Sequence, residues 1–146
     1  MRIEPFKPEH LAALLLQPSQ ALFQPMLASK DYGKMLYDAG PAYAVILDDN
    51  VVACLGIIPQ WEGRAIAWGL VGTEAGKAFV SLHKAVKRFL DLQDYHRIET
   101  AVSTDFEQGH RWAQLLGFEN EGTMRAYTPD GRDCDLYARI KCKPLC

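Results

Sequence analysis

The residues best suited to bind a ligand lie in a short turn, from Val71 to Ala78, between an apolar segment and an amphipathic one. The apolar segment predicts a strand and the amphipathic segment a helix, with Gly76 near the start of that helix. The first N–H groups of a helix have no partners within it, and the helix dipole adds partial positive charge there. A glycine at this point lets a phosphate approach the backbone closely. The turn is therefore a candidate anion site, although an ordinary strand-to-helix connection has the same pattern.

Few other side chains are placed for catalysis. Ser103 and Thr104 end a predicted strand and could donate a hydrogen bond to a ligand, or they could cap the next helix. His110 is a residue type that transfers protons near neutral pH, but a histidine on an exposed helix surface gives the same pattern. Glu99 could act through a water molecule if it faces a ligand. Gly69 marks either a strand bulge or a place where a neighbouring side chain needs room. The catalytic residues therefore stay unassigned.

Size and charge exclude several classes of partner. A chain of 146 residues predicts a single domain covering residues 1–146. Its formal net charge of −2 provides no overall positive field for nucleic acid or an anionic membrane. The longest apolar run, Leu11 to Leu16, is far too short to cross a bilayer, and the N-terminus does not resemble a signal peptide. We therefore expect a cytoplasmic protein that binds neither nucleic acid nor membrane.

The cysteines do not predict a metal site. Cys54, Cys134, Cys142 and Cys146 form no CxxC pair, and no histidine lies near the last two. Cys54 lies in an apolar strand, where a free thiol packs as a small hydrophobic group. A reducing compartment fits this cysteine usage best.

The remaining pattern predicts a mixed α/β protein with the element order β-α-α-β-β-β-α-β-α-β-β. Its middle strands form an antiparallel meander with a tight turn at Asp48–Asn50, and a helix then crosses to the next strand. Gly117 is a natural helix end, and Pro129–Gly131 closes a last hairpin. The predicted strands are Arg2–Phe6, Ala42–Leu47, Val51–Ile58, Ala65–Val71, His96–Ser103, Phe118–Tyr127 and Asp133–Ile140, with turns at Asp48–Asn50 and Pro59–Gly63. The predicted helices begin near Pro8, span Gln20–Ala39 with a break at Ser29–Gly33, follow Gly76, and span Phe106–Leu116.

Two motifs placed on this order resemble the GNAT (Gcn5-related N-acetyltransferase) family over nearly the whole chain. In that family the loop after the fourth strand carries Q/R-x-x-G-x-G/A, and Thr73–Ala78 matches it at Gly76 and at Ala78. The second motif is a helix that ends in Leu116–Phe118 and leads into a final hairpin. The other family-like positions are Glu121, Gly122, Arg125, Gly131, Asp135 and Tyr137. The resemblance implies a mixed, largely antiparallel central sheet flanked by helices.

The same resemblance implies acetyl-coenzyme A as the acyl donor. In the family, backbone amides of this loop bind the pyrophosphate, and the pantetheine arm pairs with the fourth strand like an added strand. The acceptor is an amine of a small molecule or a protein, and a homodimer is left open. The donor-binding residues that the resemblance predicts are Leu70, Val71, Thr73, Gly76, Lys77, Ala78 and Ser103.

Several positions depart from the family pattern. Thr73 replaces the usual Gln or Arg, and Ala113 occupies the position at which many members carry a tyrosine general acid. Related N-terminal acetyltransferases have a serine where this chain has Gly109. The fourth strand carries no carboxylate to act as a general base. Glu74 would repel the pyrophosphate unless it points to solvent, and Lys77 could offset its charge.

The sequence therefore supports two functions. The first is an acetyl-coenzyme A-dependent N-acetyltransferase. The second is a catalytically weakened GNAT-fold protein with a structural or partner-binding role, similar to those encoded by tailed bacteriophages, some of them virion-associated. Such a protein would lie in the host cytoplasm or in the virion. A nucleic-acid binder that uses the basic residues after Gly76 is disfavoured by the negative net charge.

Overall fold

A computed structural model describes residues 1–141, and Cys142 and Cys146 lie outside the described residues. Seven strands form one sheet in the order β1-β2-β3-β4-β5-β7-β6, in which β4 and β5 are parallel and every other pair is antiparallel. The strands are β1 (Arg2–Pro5), β2 (Ala42–Leu47), β3 (Asn50–Trp61), β4 (Arg64–Val71), β5 (Arg97–Ser103), β6 (Glu119–Met124) and β7 (Cys134–Ile140). The helices are α1 (Glu9–Ala12), α2 (Gln24–Leu27), α3 (Lys30–Ala39), α4 (Phe79–Asp91) and α5 (Glu107–Leu115), with 3-10 helices at Pro18–Phe23 and Ala75–Ala78. The predicted mixed, largely antiparallel sheet is confirmed.

Helices cover both faces of the sheet. On one face, Leu11 of α1, Leu27 of α2 and Leu36 of α3 pack with Cys54 and Leu70 from the central strands. The other face carries α4 and α5. The core there is formed by Ile57, Ala65, Leu90, Ile98, Ala113, Leu116, Phe118 and Tyr137. Alternate residues of β4 therefore face opposite helix layers, as the period-two geometry of a strand requires.

One predicted hairpin turn and one predicted helix end are confirmed, and another predicted turn is shorter than expected. Asp48 and Asp49 both have positive φ, 50° and 63°, which is typical of the two-residue hairpin turn predicted there. Gly117 has φ 92° and ends α5 as predicted. The turn predicted at Pro59–Gly63 is shorter than expected: β3 continues to Trp61, and the chain reverses at Glu62 and Gly63, where Gly63 has φ 87°. Pro59 is tolerated in β3 because it lies opposite Ala65 in a non-hydrogen-bonded pair, so its nitrogen points away from β4, to the side where pairing with β2 has already ended at Gly56.

The predicted helix over Gln20–Ala39 is divided more than expected. A 3-10 helix occupies Pro18–Phe23, α2 is a single turn, and α3 begins at Lys30. The Ser29 hydroxyl accepts a hydrogen bond from the Tyr32 N–H at 3.5 Å and so caps α3. The break therefore lies before Lys30 and does not extend to Gly33.

The two edge strands, β1 and β6, are short and polar. β1 has four residues, carries Arg2 and Glu4, and ends at Pro5. β6 is almost fully exposed and has a register shift between Asn120 and Gly122. No helix within residues 1–141 has both the length and the apolar character to cross a membrane.

Candidate functional site

The dominant feature of the sheet is a V-shaped opening between its two parallel strands. β4 and β5 pair at three positions, the last of them Ile66 with Glu99. Beyond that point β4 continues to Val71 and β5 to Ser103 without pairing with each other. The opening contains a cavity of about 1170 Å³, above the roughly 300–1,000 Å³ of ordinary ligand pockets. It therefore has room for a large ligand.

The cavity passes through the sheet, since residues from both helix layers line it. Its wall is mainly apolar, and the charged side chains along it within residues 1–141 are Arg111 and Arg132, with no carboxylate. Eight aromatic side chains contribute to the wall: Phe23, Trp68, Phe79, Phe89, Phe106, Trp112, Phe118 and Tyr127. The Trp68 indole N–H is buried and has no hydrogen-bond partner within the described chain. A ligand or water that accepts from it would remove the free-energy cost of that unpaired donor.

The candidate anion turn forms one end of this cavity. Thr73, Ala75 and Gly76 line it, and α4 follows the 3-10 helix at Ala78 without any side chain capping its N-terminus. A Cβ added to Gly76 would meet no protein atom within 4 Å. The turn thus presents open backbone at the start of a 13-residue helix, an arrangement that can accept an anion.

The two charged residues of the turn are paired with each other. The Lys77 ammonium lies against the Glu74 carboxylate, one helical turn away, and both side chains are largely exposed. The carboxylate raises the pKa of Lys77, chiefly through this hydrogen bond. Lys77 therefore partly offsets the charge of Glu74, and neither Lys77 nor Ala78 lines the cavity.

The free edge of β4 is occupied by the protein's own N-terminal segment. The Gln20 side-chain amide donates to the Gly69 carbonyl at 2.7 Å and accepts from the Val71 N–H at 2.8 Å. Next to it, the Gln17 N–H donates to the Val71 carbonyl at 3.0 Å, and the Thr73 N–H donates to the Leu15 carbonyl at 3.0 Å. Where β5 turns away, residues 15–20 thus supply the partners that the β4 backbone needs.

Leu70 and Val71 are the two β4 residues predicted to bind the donor, and only Val71 lies on this free edge. Val71 lines the cavity, whereas Leu70 is buried in the core under α1–α3. The Gly72 N–H bonds to Val52 of β3, so the backbone groups of Leu70, two residues earlier, also point to β3. The backbone groups of Gly69 point the opposite way, toward the cavity. β4 has no bulge at Gly69, and a Cβ there would meet Leu55 at an ordinary 3.4 Å.

The hydroxyls at the end of β5 are engaged elsewhere. Ser103 lines the cavity but donates its hydroxyl to Asp105 at 2.7 Å. The Thr104 hydroxyl lies 3.4 Å from the Asp133 carbonyl. Neither caps α5, whose N-terminus has no side-chain cap. Ser103 is thus the hydroxyl of this pair that a ligand in the cavity can reach.

The other titratable candidates have structural partners. His110 Nδ1 lies 2.7 Å from the Tyr137 hydroxyl, and its Nε2 lies 3.1 Å from the Thr104 carbonyl. Glu99 is paired with Arg64 and with Arg97 at the vertex of the V. The hydrogen bond from Arg64 lowers the pKa of Glu99. Neither His110 nor Glu99 lines the cavity.

Ala113 and Gly109, the two positions at which the family resemblance leads one to expect a hydroxyl, are small and closely packed. Ala113 is buried and borders the cavity, with no group to donate. A Cβ on Gly109 would lie 2.5 Å from the Phe106 ring and 2.8 Å from Val102, so a serine there would force its neighbours to move. Trp112 donates its indole N–H to His83 at 3.1 Å.

The cavity also contains a thiol. Cys134 is buried and borders it, and burial raises its pKa. Burial likewise raises the pKa of Cys54 to about 12. Both are free thiols, and no group of three or more metal-binding side chains occurs in the described part of the chain.

Comparison with known proteins identifies the fold. No family sequence profile matches this chain, and no curated protein matches it in sequence. A probable acetyltransferase from Staphylococcus epidermidis is similar in structure, with a TM-score of 0.76, 13% identity, and 97% of this chain and 99% of that chain covered. Aminoglycoside 6'-acetyltransferase type Ii is similar with a TM-score of 0.73 and 17% identity, and the match covers 99% of this chain and 100% of that chain. A spermidine N-acetyltransferase chimera that includes the Vibrio cholerae protein is similar with a TM-score of 0.71 and 19% identity, and the match covers 96% of each chain. Acetyltransferases of the GNAT family are among the matches, so the predicted GNAT fold is confirmed.

Proposed function

We propose that this chain is an N-acetyltransferase that binds acetyl-coenzyme A in the cavity between β4 and β5. The observation that carries the proposal is the V-shaped opening, whose cavity of about 1170 Å³ ends at the uncapped start of α4. The backbone at Gly76 would bind the pyrophosphate, with Thr73 next to it and the solvent-exposed Lys77 side chain nearby. The pantetheine arm would follow the β4 edge toward the vertex and pass Val71 and Ser103. Leu70 is left out of this site because its backbone pairs with β3.

The donor supplies a thioester that is already reactive, so the chain's own task is mainly to position the two reactants. The Gly69 N–H points toward the cavity beyond the last β4–β5 pair, where it can donate to the thioester carbonyl without a strand bulge. The Ser103 hydroxyl is the best candidate to donate a proton to the leaving thiolate. To do so it must first break its hydrogen bond to Asp105.

The wall of the cavity favours an acceptor with an apolar or aromatic body and one amine. A polyamine or an aminoglycoside carries several positive charges, and each buried charge needs a partner. The described lining offers eight aromatic rings, two arginines and no carboxylate. We therefore expect this chain to discriminate against polycations, although polycationic compounds appear in the names of two proteins that share its fold.

The same lining offers no carboxylate or imidazole to remove a proton from the amine. The acceptor must therefore arrive neutral or lose its proton to water. Transfer should become faster with rising pH, about tenfold per unit, until the pKa of the amine is reached.

The test combines binding and turnover. Calorimetry with coenzyme A should give saturable binding, and thiol release from acetyl-coenzyme A should be faster with 2-phenylethylamine than with spermidine. Absence of binding at millimolar coenzyme A would refute the donor site. Faster transfer to spermidine would refute the acceptor assignment alone.

A second function, a GNAT-fold protein that binds without turnover, is favoured by two observations. Ala113 supplies no acid, and the β4 edge is filled by Gln20. Coenzyme A binding without thiol release for any amine of a broad panel would select this function. The virion-associated form of this alternative gains no support from the structures compared above.

A further inference from the structure

The Gln20 side chain imitates one residue of a strand. In a parallel pair, a residue on one strand donates to the carbonyl of one neighbour and accepts from the N–H two residues further along. The Gln20 amide makes this pair of bonds, to the Gly69 carbonyl at 2.7 Å and from the Val71 N–H at 2.8 Å. A side-chain amide thus takes the place that β5 leaves when it diverges after Ile66.

We propose that Gln20 is an internal substitute for the amide of a bound ligand, and that the pantetheine arm of coenzyme A binds by displacing it. This inference rests on the proposed function, since it concerns the same donor site. It assigns to Gln20 control over donor affinity, a role that the sequence motifs do not indicate.

Gln20 can leave this position more easily than its neighbours. Gln17 bonds to Val71 at the end of β4, and Leu15 to Thr73 just after it. Both use backbone groups, so their release would move the whole N-terminal segment. Gln20 holds β4 through a flexible side chain that lines the cavity, so a rotamer change suffices. When it leaves, the Gly69 carbonyl and the Val71 N–H need new partners, because leaving a partly buried backbone group unpaired costs free energy. The amides of pantetheine provide both a donor and an acceptor.

The decisive variant is Gln20→Ala, which exposes the β4 edge in the ligand-free protein. Two net hydrogen bonds correspond to about 5- to 150-fold in an equilibrium constant. Calorimetry should therefore show coenzyme A binding tighter by about that factor. Pantetheine should show the same gain, because it contains the arm. 3',5'-Adenosine diphosphate lacks the arm, and its affinity should not change.

The chain provides a matched control in Gln24. Its side-chain amide also makes two bonds to backbone, from the Leu16 N–H at 2.9 Å and to the Leu14 carbonyl at 3.0 Å, but both bonds are to the N-terminal segment and neither is to β4. Gln24→Ala should leave the affinity for coenzyme A unchanged. If Gln20→Ala does not fold, Gln20→Met keeps the volume of the side chain without its hydrogen bonds and should show the same gain.

A second readout follows Gln20 directly. In the ¹⁵N-labelled wild-type protein, the side-chain amide signals of Gln20 should move toward their solvent-exposed position when coenzyme A binds, while those of Gln24 stay in place. Equal or weaker binding of coenzyme A to Gln20→Ala, with unmoved Gln20 signals in the wild type, would overturn the inference and leave the donor site standing. Absence of coenzyme A binding to both proteins would overturn the inference together with the proposed function.

Discussion

Gly76 allows a test in which charge and shape at the anion turn are separated. The proposed pyrophosphate site requires open backbone here, and a Cβ at Gly76 meets no protein atom within 4 Å. Its φ also lies outside the left-handed region that favours glycine. Substitution should therefore not damage the fold. Since glycine is the most flexible residue in the unfolded chain, Gly76→Ala should stabilise the protein by about 0.4–1 kcal/mol.

Gly76→Glu should nevertheless weaken coenzyme A binding, because it places a carboxylate next to the pyrophosphate. Two unit charges 4 Å apart repel by about 1 kcal/mol in bulk water and by about 4 kcal/mol at an effective dielectric constant of 20. Gly76 is exposed, so the lower figure applies. It corresponds to roughly a fivefold loss of affinity for each phosphate charge that the carboxylate meets. At 0.15 M salt, where the screening length is about 8 Å, the loss should be smaller than in dilute buffer.

The assay is calorimetry on three variants, Gly76→Ala, Gly76→Gln and Gly76→Glu, with thermal melts as the check on folding. The glutamine variant has the shape of glutamate without its charge. We expect the affinity for coenzyme A to fall in the order Ala, Gln, Glu, with a salt dependence confined to Glu. Equal losses for Gln and Glu would show that shape decides, and unchanged affinity in all three would place the pyrophosphate elsewhere.

Three further predictions concern single residues. Glu74→Gln should tighten coenzyme A slightly, more at low salt than at high, because it removes a carboxylate that Lys77 only partly offsets; a large loss of turnover at unchanged affinity would contradict this. Ala113→Tyr should raise thiol release on a reactive amine by up to the 10²–10⁴-fold typical of a general acid, if thermal melts show that the buried site accepts the ring; no gain in a folded variant would favour the non-catalytic function. Arg64 lowers the pKa of Glu99, so this carboxylate adds stability above its unfolded pKa and loses that contribution as the pH falls through its lower folded pKa. Melting temperatures between pH 7 and pH 3 should therefore fall more steeply for the wild type than for Glu99→Gln, and parallel curves would contradict the assignment.

Most of the fold could be predicted because local signals agree with the final packing. The hairpin at Asp48–Asn50, the helix end at Gly117 and the limits of β2 all follow from short-range turn and periodicity rules. The turn predicted at Pro59–Gly63 begins later than expected, and this has a definite cause. Proline and its neighbours predict a turn, but pairing with β4 carries β3 on to Trp61. The Pro59 nitrogen points away from β4, past the end of β2, so its missing N–H costs no ladder bond.

The site was less predictable, because side-chain partners depend on contacts between distant parts of the chain. Gln20 lies 49 residues from Gly69, and nothing in its local sequence distinguishes it from Gln24. Glu99 and His110 looked like candidates for proton transfer because residue type suggests chemistry. Arg64 pairs with Glu99, and the Tyr137 hydroxyl lies at hydrogen-bond distance from His110. Both partners come from other elements, and these contacts give both residues a structural role. The anion turn is a local motif, and there the structure retains the open backbone that the sequence suggests.

The character of the two edge strands bears on how copies of this protein could associate. An exposed edge invites a second chain to extend the sheet unless it is short, charged or irregular. β1 has four residues with two charges and a terminal proline, and β6 carries Glu119 and Glu121 and is interrupted by a register shift. Both edges thus resist continuation into a larger sheet. A homodimer, if one forms, should therefore meet through helices or loops, and the native state should resist strand-mediated aggregation at high concentration.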